Sequence, residues 1–148
     1  MSKISVLMSV YKKENPEYLR ASLESILVQT RTADEILLIE DGPLTQELYQ
    51  VVAEYQKKCD YLHVHAMEQN VQLGRALAKG VELCQYDLIA RMDTDDIAMP
   101  DRLEKEGAYM EAHPEVDVVG GAIREFNDEG TIDLSLIHIS EPTRLALI

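Results

Sequence analysis

Five apolar runs of strand length alternate with stretches of helical period, and this alternation restricts the chain to a parallel α/β architecture. The runs are Ile4–Val10, Glu35–Ile39, Leu62–Ala66, Asp87–Met92 and Val116–Val119. Their near-continuous Ile, Leu and Val content predicts strands covered by helices on both faces. After the first run, Asn15 can cap a helix, Pro16 suits its first turn and Glu17 favours its N-terminal dipole, while Leu19, Leu23, Ile26 and Leu27 share one face. A second helix carries Leu48, Val51, Val52 and Tyr55, and a third carries Leu73, Leu77, Val81 and Cys84. A fourth begins near Pro100 and runs towards His113-Pro114.

At 148 residues and 46% hydrophobic, the chain can bury one real core. With one Phe and no Trp, that core must come from Leu, Ile, Val, Met and Ala. The 14 Lys and Arg face 27 Asp and Glu, a net charge of −13, which repels nucleic acid and anionic membranes as principal partners. Cys59 and Cys84 lack CxxC or ligand spacing and read as reduced thiols of a cytoplasmic protein. The first apolar run is too short for a signal sequence or a membrane span, and no other run approaches membrane-spanning length. Cytoplasmic location is the expectation, with peripheral contact at the inner face of the membrane left open.

Ser135–Ile148 (SLIHISEPTRLALI) has neither helical nor alternating period and holds only Glu141 and Arg144 as charges. Residues 134–148 therefore read as a non-native read-through tail, and the chain as truncated after about residue 133. One acid and one base cancel in that tail, so the preceding residues carry the whole −13.

In open parallel sheets ligands bind beyond the carboxyl ends of the strands. Here those ends are polar: Ser9-Val10-Tyr11, Glu40-Asp41-Gly42, Glu68-Gln69-Asn70 and Arg91-Met92-Asp93-Thr94-Asp95-Asp96. Acids converging on one rim raise each other's pKa unless a cation offsets them. Asp93 and Asp95 lie on one side of an extended segment with Asp96 within reach, and such hard oxygen donors suit Mg²⁺ or Mn²⁺ with a diphosphate completing the coordination. An EF-hand loop starting at Asp93 fails, because its fifth position is Ile97 and its sixth, which needs Gly, is Ala98. A haloacid-dehalogenase-type phosphatase or a response-regulator receiver needs its acids after the first strand, where this chain has Ser9-Val10-Tyr11. There is no Walker A sequence and no GxGxxG. His63 and His65 alternate within a strand but lack neighbouring ligands, and packing explains them better than metal binding. Taken alone, the acidic cluster is equally readable as a solvated turn.

The ordered series Ser5-Val6-Leu7-Met8-Ser9-Val10-Tyr11, Glu40-Asp41-Gly42, Asn70 and Arg91-Met92-Asp93-Thr94-Asp95-Asp96 resembles the family 2 glycosyltransferases. The likeness continues through Met99-Pro100-Asp101-Arg102-Leu103-Glu104 and through His113 to Gly121, and it spans residues 1 to about 133. It implies a truncated Rossmann-like GT-A fold, a mostly parallel sheet with helices on both faces. Its function would be metal-dependent transfer, with inversion, from a nucleotide-diphosphate sugar, most often a UDP-sugar. The acceptor would be a saccharide or lipid-linked hydroxyl in exopolysaccharide or capsule assembly. Carried over by position, Tyr11 with the backbone of Ser9 and Val10 would line the base pocket and Asp41 would bond the base or ribose. Asp93 would face the ribose and sugar, Asp95 would ligate Mn²⁺ or Mg²⁺ with Asp96 sharing that role, and Arg91 would contact the sugar–phosphate or pair with an Asp. Two positions depart from the family's pattern: Gln72 stands where a Gly commonly follows the Asn, and Ala78 where an Asn is frequent. The family's catalytic base lies beyond the Gly120-Gly121 region, so no base is assigned. The rival reading is a nucleotide- or metal-binding module without transferase activity.

Overall fold

The computed structural model describes residues 1–127 and 130–131. The strands β1 (Ile4–Val10), β2 (Glu35–Glu40), β3 (Leu62–Ala66) and β4 (Leu88–Arg91) pair in parallel, in the spatial order β3-β2-β1-β4. They match the first four apolar runs to within one residue at each end. The helices α1 (Pro16–Leu27), α2 (Gln46–Lys58), α3 (Leu73–Leu83) and α4 (Arg102–Ala112) connect or follow them. A short antiparallel pair, β5 (Phe126–Asn127) and β6 (Gly130–Thr131), stands apart from the sheet.

The α1 cap forms as its sequence demands: the Glu17 amide donates to the Asn15 side chain at 2.8 Å, with Pro16 opening the first turn. The larger core packs Val6, Met8, Ile36 and Leu38 of the central strands against Leu19 and Leu23 of α1, Leu48 and Val51 of α2 and Leu103 of α4. On the opposite face Leu7, Leu37 and Ile39 lie beneath Ala76 of α3. Of the apolar stripe its sequence offers, Leu77 and Cys84 pack against this cluster, whereas Leu73 and Val81 are exposed and Ala76 and Gly80 are buried in their place. A Cβ on Gly80 would lie 2.3 Å from a Leu7 methyl, so small residues let the helix approach β1 closely.

The fifth expected strand does not form. Val116–Val119 joins no ladder: the chain turns after α4, where the Val116 amide donates to the His113 carbonyl at 3.0 Å, and Gly121 then lies beside the Glu106 carboxylate. A strand requires a neighbour to take its hydrogen bonds, and this segment is held against α4 instead. Both cysteines are free; burial pushes the Cys84 thiol up to about 11 and raises Cys59 as well, so neither is an activated nucleophile. Among the described residues no helix is long and apolar enough to cross a membrane. The segment 134–148, expected to be a foreign tail, lies outside the described residues.

Candidate functional site

From β1 the chain steps outward through β2 to β3, then returns to the other side of β1 to form β4. That reversal opens a crevice beyond the carboxyl ends of β1 and β4, where sheets of this topology bind ligands. Two polar segments meet there. The Met92 amide donates to the Leu7 carbonyl at 3.0 Å, extending the β1–β4 ladder and carrying Asp93-Thr94-Asp95-Asp96 alongside Ser9 and Val10. Thr94 is buried, and its hydroxyl lies 3.3 Å from the Ser9 carbonyl and 2.8 Å from the Glu14 carboxylate. Tyr11 follows immediately and is exposed.

One carboxylate oxygen from each of Asp93, Asp95 and Asp96 falls within 4.8 Å of the others, the only grouping of three or more potential ligands among the described residues. Desolvation by the surrounding protein raises the pKa of Asp96 although the side chain is exposed, and the charges of Asp95 and Asp93 raise it further against the opposing pull of Arg102 and Arg91. Like-charged oxygens this close are the arrangement a divalent cation relieves. Asp93 is already partly neutralised by Arg91, whose Nη2 donates to it at 2.7 Å. The Arg91 Nε is buried and has no hydrogen-bond partner among the described residues.

Asp41 stands one strand away, its amide donating to the Val10 carbonyl at 2.8 Å. It is 4% exposed, and its Oδ1 accepts from the Val71 amide at 2.7 Å while Asn70 Nδ2 donates to its carbonyl at 3.3 Å. The loops after β2 and β3 are thereby clamped together. Gly42 sits at φ +86°, and a Cβ there would lie 2.6 Å from the Asn70 nitrogen, so both conformation and proximity require glycine. Gln72, two residues past Asn70, adopts φ 72° and ψ 159°, a region that only glycine occupies without strain. The structure thus brings Ser9, Val10, Asp93, Asp95 and Asp96 to one crevice. Tyr11 follows β1 and is exposed, and Asp41 follows β2 and is buried.

The sequence reading did not single out the polar face of α1 and the residues following it. Ser22 Oγ donates to the Asp93 carbonyl at 3.1 Å, Ser25 Oγ accepts from the Ala98 amide at 3.0 Å, and Gln29 Nε2 donates to the Met99 carbonyl at 2.7 Å. The legible signal was the spacing: three polar residues at i, i+3 and i+7 set among apolar ones. Glu14, the partner of Thr94, was missed because an acidic residue in a turn carries no signal of its own.

Residues 5–146 match the model of the family described as Glycosyl transferase family 2. The amylovoran biosynthesis glycosyltransferase AmsE of Erwinia amylovora is 45% identical over 136 residues, covering 92% of this chain and 51% of that protein. A UDP-Gal:alpha-D-GlcNAc-diphosphoundecaprenol beta-1,3-galactosyltransferase of Escherichia coli is 35% identical over 136 residues, covering 88% of this chain and 48% of that one. The chain spans about half the length of the curated relatives it matches. In fold, the mannosyltransferase PcManGT of Pyrobaculum calidifontis, solved with GDP-Man and Mn²⁺, superposes with a TM-score of 0.66 at 15% identity, over 82% of this chain and 34% of that one.

Proposed function

The chain belongs to glycosyl transferase family 2, and on that premise we propose that the crevice between β1 and β4 binds a nucleotide-diphosphate sugar, specifically a UDP-sugar, together with Mn²⁺ or Mg²⁺. The whole protein then transfers the sugar, with inversion, to a saccharide or lipid-linked acceptor in polysaccharide assembly at the cytoplasmic face of the membrane. The observation that carries this reading is the convergence of the Asp93, Asp95 and Asp96 carboxylates beside the end of β1, at the point where the strand order reverses. The relatives supply the substrate classes: one acts in amylovoran biosynthesis, another takes UDP-Gal and a diphosphoundecaprenol-linked acceptor.

The residues present fit a divalent ion, since the three oxygens are hard, anionic and mutually repelling. Asp95 and Asp96, both exposed, would hold it; Asp93, engaged by Arg91, would face the ribose and sugar. When bound, the ion supplies charge neutralisation for the diphosphate and for the leaving nucleotide. The exposed Tyr11 ring and the Ser9–Val10 backbone form the base pocket, and Asp41 bonds the base or ribose while holding the Asn70–Val71 loop in place. Arg91, paired with Asp93 through Nη2, would contact the sugar–phosphate portion from beside that carboxylate. Residues 1–133 constitute the donor-binding part in this reading, and the base that deprotonates the acceptor comes from elsewhere in the whole protein.

The test is UDP release by the full-length gene product, supplied with UDP-sugars and either oligosaccharide or lipid-linked acceptors. Acceptor-dependent release supports transfer. Inactivity across donors, with UDP and Mn²⁺ binding retained, establishes the binding module instead.

A further inference from the structure

Outside the groups that would touch donor or metal, a set of long-range side-chain hydrogen bonds joins the end of α1 to residues 93–104. Gln29, 6% exposed and just past the helix, uses its whole amide: Nε2 donates to the Ser25 carbonyl at 3.0 Å and to the Met99 carbonyl at 2.7 Å, and Oε1 accepts from the Leu103 amide at 3.0 Å. The Thr30 amide donates to the Pro100 carbonyl at 2.8 Å. With the Ser22–Asp93 and Ser25–Ala98 bonds, the acidic segment is fastened on both sides of Asp95 and Asp96 while those two side chains stay exposed.

Burying a primary amide is costly unless its bonds are made. The Leu103 amide is a buried first-turn donor of α4 that no N-cap side chain satisfies, so the Gln29 amide both meets that donor and ties the start of α4 and the Met99 carbonyl rigidly to the end of α1. Rigidity has a use here, because three carboxylates that repel one another will spread unless the backbone beneath them is fixed. We propose that Gln29 is a positioning residue for the metal site, holding the backbone beneath Asp95 and Asp96 in the geometry that binds a divalent ion. This rests on the metal-site reading above.

The test compares the purified chain with its Gln29→Met, Ser25→Ala and Val52→Ala variants. Gln29→Met keeps length and removes the amide, Ser25→Ala removes an independent fastening, and Val52→Ala destabilises the core from α2 while leaving every hydrogen bond to the loop in place. Mn²⁺ affinity is read by calorimetry and amide protection by hydrogen exchange. The expected result is Mn²⁺ binding weakened roughly 10- to 100-fold in Gln29→Met, with faster exchange at Ala98 and Leu103, and Val52→Ala binding as the wild type does. Ser25→Ala should act in the same direction, and it carries the test if Gln29→Met does not fold. Wild-type Mn²⁺ affinity in the loop variants, or equal weakening in Val52→Ala, overturns the proposal. A wild type that binds no Mn²⁺ overturns the metal-site reading and this proposal with it. Binding in the wild type with unchanged affinity in the variants sinks the role of Gln29 alone.

Discussion

Thr94, set between two candidate ligands, donates its hydroxyl to the Glu14 carboxylate at 2.8 Å across 80 positions of sequence. The bond joins the turn that follows Tyr11 to the acidic segment after β4, so the two halves of the crevice are mechanically connected. Replacing Thr94 by Val keeps the shape, leaves Glu14 without this donor, and should cost about 2 kcal/mol, the usual worth of a hydrogen bond to a charged group. Thr94→Ser should recover most of it. Urea denaturation checks the stability, and UDP titration with and without Mn²⁺ checks the connection: the Val variant should lose part of the Mn²⁺-dependent gain in UDP affinity.

Gln72 and Gly42 make a contrasting pair. The strain of a side chain at φ 72°, ψ 159° is about 1–3 kcal/mol, and glycine's greater unfolded-state freedom offsets about 0.5–1 of that. Gln72→Gly should therefore stabilise the fold by about 1 kcal/mol, seen as a higher urea midpoint at unchanged slope. Gly42→Ala should do the reverse and lose more than about 2 kcal/mol, since positive φ and a 2.6 Å approach to the Asn70 nitrogen both oppose a Cβ.

Burial holds the Glu40 carboxyl above its ordinary pKa of 4.5, and no ion pair among the described residues offsets it. The folded state therefore keeps the proton longer than the unfolded chain. Glu40's contribution is fully present below the unfolded pKa and is lost as pH rises through the higher folded value. Glu40→Gln should gain stability relative to the wild type between about pH 4 and neutrality. Urea midpoints of both proteins at several pH values check this, and a constant difference would contradict it.

Local signals made four strands and α1 legible, because Asn15, Pro16 and Glu17 act on the helix end they precede and the two central strands β1 and β2 are rich in Ile, Leu and Val. The acidic trio was legible for a similar reason, its members being adjacent in sequence. Val116–Val119 has strand composition, yet composition cannot supply a neighbouring strand, and the contact from Gly121 to Glu106 directs the segment elsewhere. In α3 the sequence displays Leu73 and Val81, but proximity to Leu7 selects Ala76 and Gly80. Ser22, Ser25 and Gln29 look like ordinary polar positions until the fold brings residues 93–103, about seventy positions later, against them.

The central claim is that the acids at the end of β4 hold a divalent ion on which nucleotide binding depends. Calorimetric titration of the chain with UDP in the presence of Mn²⁺ tests it most directly, repeated after chelation and with Asp95→Ala. Saturable heat with Mn²⁺, lost on chelation and reduced at least about tenfold in affinity in Asp95→Ala, is the predicted result. No heat above background, or equal binding by Asp95→Ala and the wild type, would contradict it.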